Sequence, residues 1–192
     1  VNNDIKVIML KYILLGFLNY QPMTGYDLKT RIDDSTGHFW HAYHSQIYTT
    51  LRKLEEKGWL TSELFEDEAG PNKREYTLTD TGRDALHKWL RKSMTEANRP
   101  KEELLVRLFF SGQRDKAHVL DELRVQRALH QQKLMVYETI KLENHVPEAM
   151  QDDPRADREQ FFWERTLNFG HRYEMMYLAW LDETIEAIDA LP

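Results

Sequence analysis

The hydrophobic pattern of the first 35 residues predicts two helices. Residues 5–18 (IKVIMLKYILLGFL) are apolar on nearly every side, which is typical of a buried helix. A short turn follows, and Thr24 with Asp27 three residues later forms the capping-box pattern that starts a helix. The expected core contacts of this second helix are Tyr26, Leu28 and Ile32.

A third helix is predicted at residues 45–57. Ile47, Leu51 and Leu54 are spaced at i, i+4 and i+7, which places them on one buried face. Gly58 fits the left-handed position just past a helix end. At about 100° per residue, the opposite face of the helix is polar. It carries Ser45, Thr49, Arg52 and Glu56, with Gln46 and Lys53 beside them.

Residues 59–79 predict a β-hairpin with an extended tip. WLTSELFE alternates as a strand does, DEAGPN is a cluster of turn residues, and REYTLT is the returning strand. Thr79 or Asp80 is then expected to cap a fourth helix. The residues that this helix is expected to bury are Ala85, Leu86, Trp89 and Leu90.

The pattern changes at Asn98-Arg99-Pro100, which predicts a boundary between a domain at 1–98 and a domain at 99–192. Beyond the boundary we expect helices and no strands. They are predicted at 101–111, near 115–145 and near 156–190. A helix of about 30 residues would be about 45 Å long, and it must pack against partners because isolated helices are marginal in water. The predicted fold class is mainly α with a small β-hairpin.

The last predicted helix carries more apolar surface than one small domain needs. Its heptad-like row consists of Phe162, Phe169, Tyr173, Met176 and Trp180, and Leu181, Ile185 and Ile188 widen it. Such a row favours a homodimer that is formed through the terminal helices. The alternative is a helical bundle within one chain, and the pattern by itself leaves both open.

Charge is distributed unevenly along the 192 residues, whose net charge is −6. Residues 1–98 carry 13 Lys or Arg and 14 Asp or Glu, whereas residues 99–192 carry 13 and 18. A basic coat for nucleic acid is therefore excluded, but a local basic patch in the first half is not. The chain has no cysteine, which excludes disulfides and favours a cytoplasmic protein. No membrane span is expected, because no stretch reaches 18 uncharged apolar residues.

Three helices followed by a two-stranded hairpin are the layout of a winged helix-turn-helix domain. The third helix would then be the recognition helix, which reads base edges in the major groove through its N-terminal residues. We expect Lys73 and Arg74 on the turn at the hairpin tip, where two cations suit contact with DNA phosphates or the minor groove. The acidic run 66–68 would be unfavourable beside DNA. The predicted DNA-binding residues are Ser45, Gln46, Tyr48, Thr49, Arg52, Lys53, Tyr26, Lys73 and Arg74.

Other functions find less support in the sequence. A winged helix that binds a protein partner instead of DNA is the main alternative, since any exposed helix has a polar face. An enzyme is not expected, because the chain has no G-x-S-x-G, no phosphate-binding glycine loop and no H-E-x-x-H. His38, His41 and His44 recur every three residues, a spacing that metal ligands can have, but ordinary hydrogen-bonding histidines are the favoured interpretation. No cofactor is expected.

The same residues resemble the PadR family of transcriptional regulators, in its longer form with a C-terminal helical domain. The resemblance covers residues 8–92, and the second half is similar in length, helicity and a late Trp180-Leu181 pair. The matching positions are Gly25-Tyr26, Phe39-Trp40, Gln46-Ile47-Tyr48, Leu51, Leu54, Gly58, the wing GPNKREY, and Tyr76-Thr77-Leu78-Thr79 with Gly82.

The resemblance implies a homodimeric repressor with a winged helix-turn-helix domain and a C-terminal helical dimerisation domain. The two recognition helices would lie about 34 Å apart and bind an inverted repeat in double-stranded DNA. Some relatives are released from DNA by small aromatic molecules such as phenolic acids, whereas others have no known effector. The candidate effector-binding residues here are Trp40, His41, His44, Trp163 and Arg165. Ordinary packing of these aromatic residues is the alternative.

Overall fold

The computed structural model describes residues 2–36, 39–65, 72–95, 102–140 and 153–192, with side chains of the first helix described from Met9 onward. The chain divides into two compact units. The N-terminal unit contains Val1–Met94 and Leu142–Gln160, and the C-terminal unit contains Thr95–Lys141 and Phe161–Pro192. The predicted domain boundary at 98–99 lies outside the described residues. That residues 142–160 group with the first unit was not foreseen.

The N-terminal unit has the predicted order of three helices, a hairpin and a fourth helix. A single π-helical turn, Ile32–Thr36, follows the second helix. The elements are α1 (Asn2–Leu18), β1 (Met23–Thr24), α2 (Gly25–Arg31), α3 (His44–Glu56), β2 (Leu60–Phe65), β3 (Lys73–Leu78) and α4 (Asp80–Arg91).

The sheet of this unit has three antiparallel strands in the order β1-β3-β2, where the sequence predicted two. In the hairpin, Leu60 pairs with Leu78. The additional strand β1 pairs Met23 with Tyr76 on the other edge of β3. Two residues are too short for an alternating pattern, so β1 exists only because the chain passes beside that edge before α2 begins.

The core of the N-terminal unit lies between α1, α2, α3 and the sheet. The predicted core residues of α3 are buried, as are Leu28 and Ile32. Tyr26 was wrongly predicted as a core contact and is 68% exposed, because residues two apart on a helix point in nearly opposite directions from its axis. Leu90, in the last turn of α4, was also wrongly predicted as buried and is 63% exposed.

Helix ends in this unit are set by the predicted signals. The Thr24 hydroxyl accepts from the Asp27 N–H at 3.1 Å, and the Asp27 carboxylate accepts from the Thr24 N–H at 3.1 Å. Gly58 has φ of 70°, the left-handed conformation that favours glycine. Thr79 caps α4, since its hydroxyl oxygen accepts from the Gly82 N–H at 3.1 Å. These caps define where α2, α3 and α4 begin or end.

The described residues of the C-terminal unit are helical. The helices are α5 (Glu103–Phe109), α6 (Lys116–Thr139) and α7 (Ala156–Asp189), with a 3-10 turn at Ser111–Gln113, and α7 begins within the N-terminal unit. Leu104 of α5, Val119 and Leu123 of α6, and Leu181 of α7 form the centre of the core. Each helix that the structure describes is too short or too polar for a bilayer span.

The apolar row predicted on the last helix divides into two parts. Tyr173, Trp180 and Leu181 pack against α5 and α6, together with Ile185 and Ile188. Phe162, Phe169 and Met176 remain 52%, 70% and 55% exposed. Packing within one chain therefore buries part of the row and leaves three of its large apolar side chains more than half exposed.

Candidate nucleic-acid interface

Helix α3 presents a continuous polar face. Ile47, Leu51 and Leu54 are at most 2% exposed and anchor the other side of the helix in the core. The predicted contact residues on α3 are all exposed. They are Ser45, Gln46, Tyr48, Thr49, Arg52 and Lys53. The helical spacing read from the sequence thus brings six candidates together on one surface.

Gln46 has a structural role at the start of α3. The helix begins at His44, one residue before the predicted start. The Tyr43 N–H donates to the Gln46 side-chain oxygen at 3.1 Å, which satisfies one of the N–H groups left unpaired at a helix start. The Gln46 amide nitrogen can still donate to a base. A two-bond contact to adenine uses both the oxygen and the nitrogen, so the oxygen would have to accept from the base as well as from Tyr43.

Arg52 lies in the middle of the exposed face. Its Nε is 3.8 Å from a carboxylate oxygen of Glu56, and the two side chains are 72% and 66% exposed. Ion pairs this exposed are worth at most about 1 kcal/mol. Arg52 can therefore exchange Glu56 for a phosphate with little loss.

Tyr48 joins α3 to the start of α2. A Cβ on Gly25 would lie 2.5 Å from Tyr48 Cε1, so the absence of a side chain at Gly25 lets the ring pack against the backbone. Tyr48 is still 47% exposed, and Tyr26 beside this contact is 68% exposed. The two tyrosines extend the exposed surface from α3 to the first turn of α2.

The cations of the hairpin lie on a strand, which corrects the prediction that they lie on a turn. Lys73 pairs with Phe65 and Arg74 pairs with Leu64 across the hairpin. Consecutive strand residues point to opposite faces of a sheet, so Lys73 and Arg74 cannot act as one cluster. Of the predicted tip, residues 66–71, including the acidic run, lie outside the described residues.

Arg74 forms an ion pair with α3. Its guanidinium lies 3.7 Å from the Glu55 carboxylate and donates to the Ser62 hydroxyl at 3.3 Å. The Ser62 hydroxyl in turn donates to Glu55. Burial raises the pKa of Tyr76, which lies on the same face of β3 and is also influenced by Arg74 and Glu55. Part of the Arg74 charge is thus offset by a residue that sequence reasoning did not single out.

The candidate effector residues are divided between the two units. Trp40, His41 and His44 belong to the N-terminal unit, and Trp163 and Arg165 belong to the C-terminal unit. Both histidines are exposed, and the two tryptophans are half-buried. That these five residues form one pocket stays a prediction.

Local contacts of these residues are modest. The His41 ring meets the Tyr43 ring edge-on at 5.1 Å between centroids. The Arg165 guanidinium lies 5.3 Å from the centre of the Phe161 ring. His38 lies outside the described residues, and within the described ranges no three His, Asp or Glu side chains are grouped to hold a metal ion.

Two residues at the entrance to α3 were missed as DNA candidates. Tyr43 precedes the first turn and is 64% exposed, and His44 in the first turn, placed only among effector candidates, is also exposed. The available signal was their position next to the N-terminus of α3, where backbone N–H groups favour a phosphate.

Known proteins resemble both halves of the chain. Residues 14–88 match the transcriptional regulator PadR-like family, and residues 100–189 match the virulence activator alpha C-terminal family. The negative transcriptional regulator PadR of Bacillus subtilis (strain 168) is 29% identical over 189 residues, which are 94% of this chain and 98% of the relative.

Solved structures of the Bacillus subtilis protein share the fold. PadR in complex with operator DNA has a TM-score of 0.76 at 27% identity, covering 94% of this chain and 99% of the other. PadR in complex with p-coumaric acid has a TM-score of 0.73 at 28% identity, covering 96% and 98%. The winged helix-turn-helix half of this chain thus belongs to the PadR-like family of transcriptional regulators, and its helical half belongs to the virulence activator alpha C-terminal family.

Proposed function

We propose that the protein is a homodimeric repressor that binds an inverted-repeat operator through α3 and is released by a small effector. The observation that carries the proposal is the exposed face of α3. There Ser45, Thr49 and Arg52 lie opposite a fully buried apolar side. The Bacillus subtilis relative has been solved with operator DNA, which supports the same use of this surface.

The residues of this face divide into two roles. Ser45, Gln46 and Thr49 can donate to or accept from base edges, so we assign the sequence preference to them. Arg52 and Lys53 supply charge toward phosphates, which positions the helix without reading the sequence. Tyr26 on α2 and Lys73 and Arg74 on β3 are proposed to add contacts to the phosphate backbone of the DNA at the two ends of the surface.

Dimerisation is supported by the exposed apolar side chains of α7. Phe162, Phe169 and Met176 are more than half exposed, and α7 is 34 residues long. Large apolar surfaces of this kind mark protein interfaces. Two copies joined there would present two α3 helices, which gives the operator its inverted symmetry.

Effector release is supported by the relative solved with p-coumaric acid. Trp40, His41, His44, Trp163 and Arg165 remain the residues proposed to hold such a ligand. The effector must prefer one arrangement of the two recognition helices, because a ligand with equal affinity for both states shifts neither.

The first experiment is a selection from sheared genomic DNA of the source organism at near-physiological salt, followed by sequencing of the retained fragments. A short inverted repeat should be enriched by the unmodified protein. Arg52→Glu should abolish retention, whereas Arg124→Glu on α6, an arginine 56% exposed and paired with Asp121, is the matched control and should retain DNA. Retention that is unchanged in Arg52→Glu would favour a winged helix that binds a protein partner.

The dimer is tested separately by sedimentation. Phe169→Asp should shift the protein toward monomers, while Phe65→Asp, at an aromatic residue 49% exposed in the N-terminal unit, should not. A Phe169→Asp protein that remains fully dimeric would contradict the proposed interface and leave the DNA result untouched.

A further inference from the structure

A cavity of about 430 Å³ lies among α5, α6 and α7 of the C-terminal unit. All of its lining residues belong to the C-terminal unit, and none of them is one of the five candidate effector residues. Its volume is in the range of small-molecule sites, about 300–1,000 Å³. Its walls include Glu102, Arg107, His130, Lys133, Tyr173 and Tyr177.

The buried wall of the cavity holds polar groups with unused hydrogen-bonding capacity. Tyr177 is 6% exposed, and its hydroxyl makes no hydrogen bond to the described residues. Its ring is stacked on that of His130, with centroids 3.9 Å apart. Buried polar side chains are nearly always hydrogen-bonded. The Tyr177 hydroxyl is therefore suited to a bound partner.

His130 adds an acceptor to the same wall. The residue is 7% exposed, and its Nδ1 is hydrogen-bonded to the carboxylate of Glu174, which is 4% exposed. A carboxylate accepts, so Nδ1 donates, and in the neutral form of the ring Nε2 is then an acceptor. Within the described ranges Nε2 has no partner, and the ring lines the cavity.

The cations near the cavity are mostly neutralised by other residues. The Arg107 guanidinium lies 2.6 Å from Glu103 and 3.1 Å from Glu122. Arg114 lies 2.7 Å from the other oxygen of Glu122, and its hydrogen bond lowers the pKa of that carboxyl. Lys133 is exposed at the rim, where water screens its charge.

Glu102 is different from the other acidic residues of the wall. Its carboxylate accepts a hydrogen bond from the Tyr173 hydroxyl at 3.2 Å, and no described cation is paired with it. Burial and, after it, the charge of Glu102 raise the pKa of Tyr173 to about 12. The site thus combines an unneutralised carboxylate, two further acceptors and the rings of two tyrosines.

We propose that this cavity binds a small primary organic ammonium ion. The three N–H groups of such an ion match three acceptors of the wall: the Glu102 carboxylate, the Tyr177 oxygen and His130 Nε2. Ammonium ions are also attracted to the faces of tyrosine rings, here that of Tyr173. A carboxylate ligand fits less well, because it would face the Glu102 carboxylate and would have to compete with Glu103 and Glu122 for Arg107.

The test measures binding to the full chain without DNA, so its outcome is independent of the proposed repressor function. Three probes of similar size but different charge are compared by ligand-observed NMR: phenethylammonium, 2-phenylethanol and 3-phenylpropanoate. We expect saturable binding of phenethylammonium and much weaker binding of the neutral and anionic probes. Equal binding of all three, or none of phenethylammonium, would overturn the proposal.

Two variants locate the site. Glu102→Gln keeps the shape and removes the charge, and it should weaken phenethylammonium binding by about tenfold or more, as expected for a lost charge-assisted contact. Tyr177→Phe removes only the unbonded hydroxyl and should weaken binding several-fold without loss of folding. Glu138→Gln, at an exposed residue of α6 outside the cavity, is the control and should bind like the unmodified protein. Unchanged affinity in both Glu102→Gln and Tyr177→Phe would rule out this site.

Discussion

The ring of Tyr48 on α3 lies against the backbone of Gly25, the first residue of α2. A Cβ on residue 25 would lie 2.5 Å from Tyr48 Cε1 and 2.8 Å from Cζ, closer than side chains approach one another. This contact packs α3 against the start of α2. It also places a half-exposed tyrosine at the edge of the proposed DNA surface.

Gly25→Ala should displace the Tyr48 ring outward. The expected loss of stability is small, because Tyr48 is half exposed and alanine in a helix gains about 0.5–1 kcal/mol over glycine. DNA affinity should fall instead, since Tyr48 leaves its place beside Thr49. The measurement is a DNA titration together with a thermal melt of the same protein.

A double variant separates this effect from a general disturbance. Adding Tyr48→Ala to the Gly25→Ala protein should reduce DNA affinity little further, because each change removes the Tyr48 ring from the same position. Gly112→Ala, where a Cβ meets nothing within 4 Å, is the control and should leave affinity unchanged. Fully additive losses would show that the two residues act independently.

Thr79→Val should destabilise the N-terminal unit. The Thr79 hydroxyl caps α4 and also donates to the Gly58 carbonyl at 2.8 Å, joining the end of α3 to the start of α4. Loss of a helix cap and of a second hydrogen bond should lower the free energy of unfolding by about 1–2 kcal/mol. Urea unfolding measures this change. Thr77→Val, at an exposed position of β3, should have a free energy of unfolding close to that of the unmodified protein. An equal loss in both variants would contradict the assigned role.

Glu55→Gln should strengthen binding to DNA of any sequence. The Glu55 carboxylate lies 3.7 Å from Arg74, and its neutral replacement frees the full charge of that arginine for phosphate. One additional phosphate contact would steepen the dependence of log affinity on log salt by about 0.9. Titrations at several salt concentrations provide the slope. Glu138→Gln makes the same charge change in the C-terminal unit and serves as the reference. Equal salt dependence in the two variants would mean that Arg74 does not reach the DNA.

Stability at alkaline pH should depend on Tyr173. Its pKa is raised from 10.0 to about 12 in the folded protein, first by burial and then by Glu102. Because the pKa is higher in the folded protein, the unfolded chain loses this proton first. The contribution of Tyr173 to the free energy of unfolding is therefore complete below pH 10 and is lost as the pH rises toward 12. Tyr173→Phe should therefore lose less stability across that interval in urea unfolding. The exposed Tyr26→Phe should keep the original slope, and parallel curves for both variants would refute the assignment.

The order of elements in the N-terminal unit could be predicted because its signals are local. Thr24 with Asp27, Gly58 and Thr79 each act within four residues, and the structure confirms all three. Strand β1 has no such signal. It forms because Met23 lies beside Tyr76, a residue 53 positions away whose neighbourhood no local pattern reveals.

The candidate site shows the same division. Helical spacing predicted which residues of α3 face outward, since the angle between them depends only on helix geometry. The tie between Arg74 and Glu55 and the contact between Tyr48 and Gly25 join separate elements, so the sequence offered no sign of them. Gln46 is intermediate: its place three residues after Tyr43 is a capping signal, but the cap is a tyrosine and not the usual serine or threonine.

The sequence by itself determined the long helices of the second half and the apolar row along α7. Only the tertiary structure decided how that row is used: Tyr173, Trp180 and Leu181 are covered by α5 and α6, while Phe162 and Phe169 are left exposed. The physical reason is the range of the interactions. Helix periodicity arises from residues three and four apart, whereas burial depends on which distant segments of the chain pack over a given face.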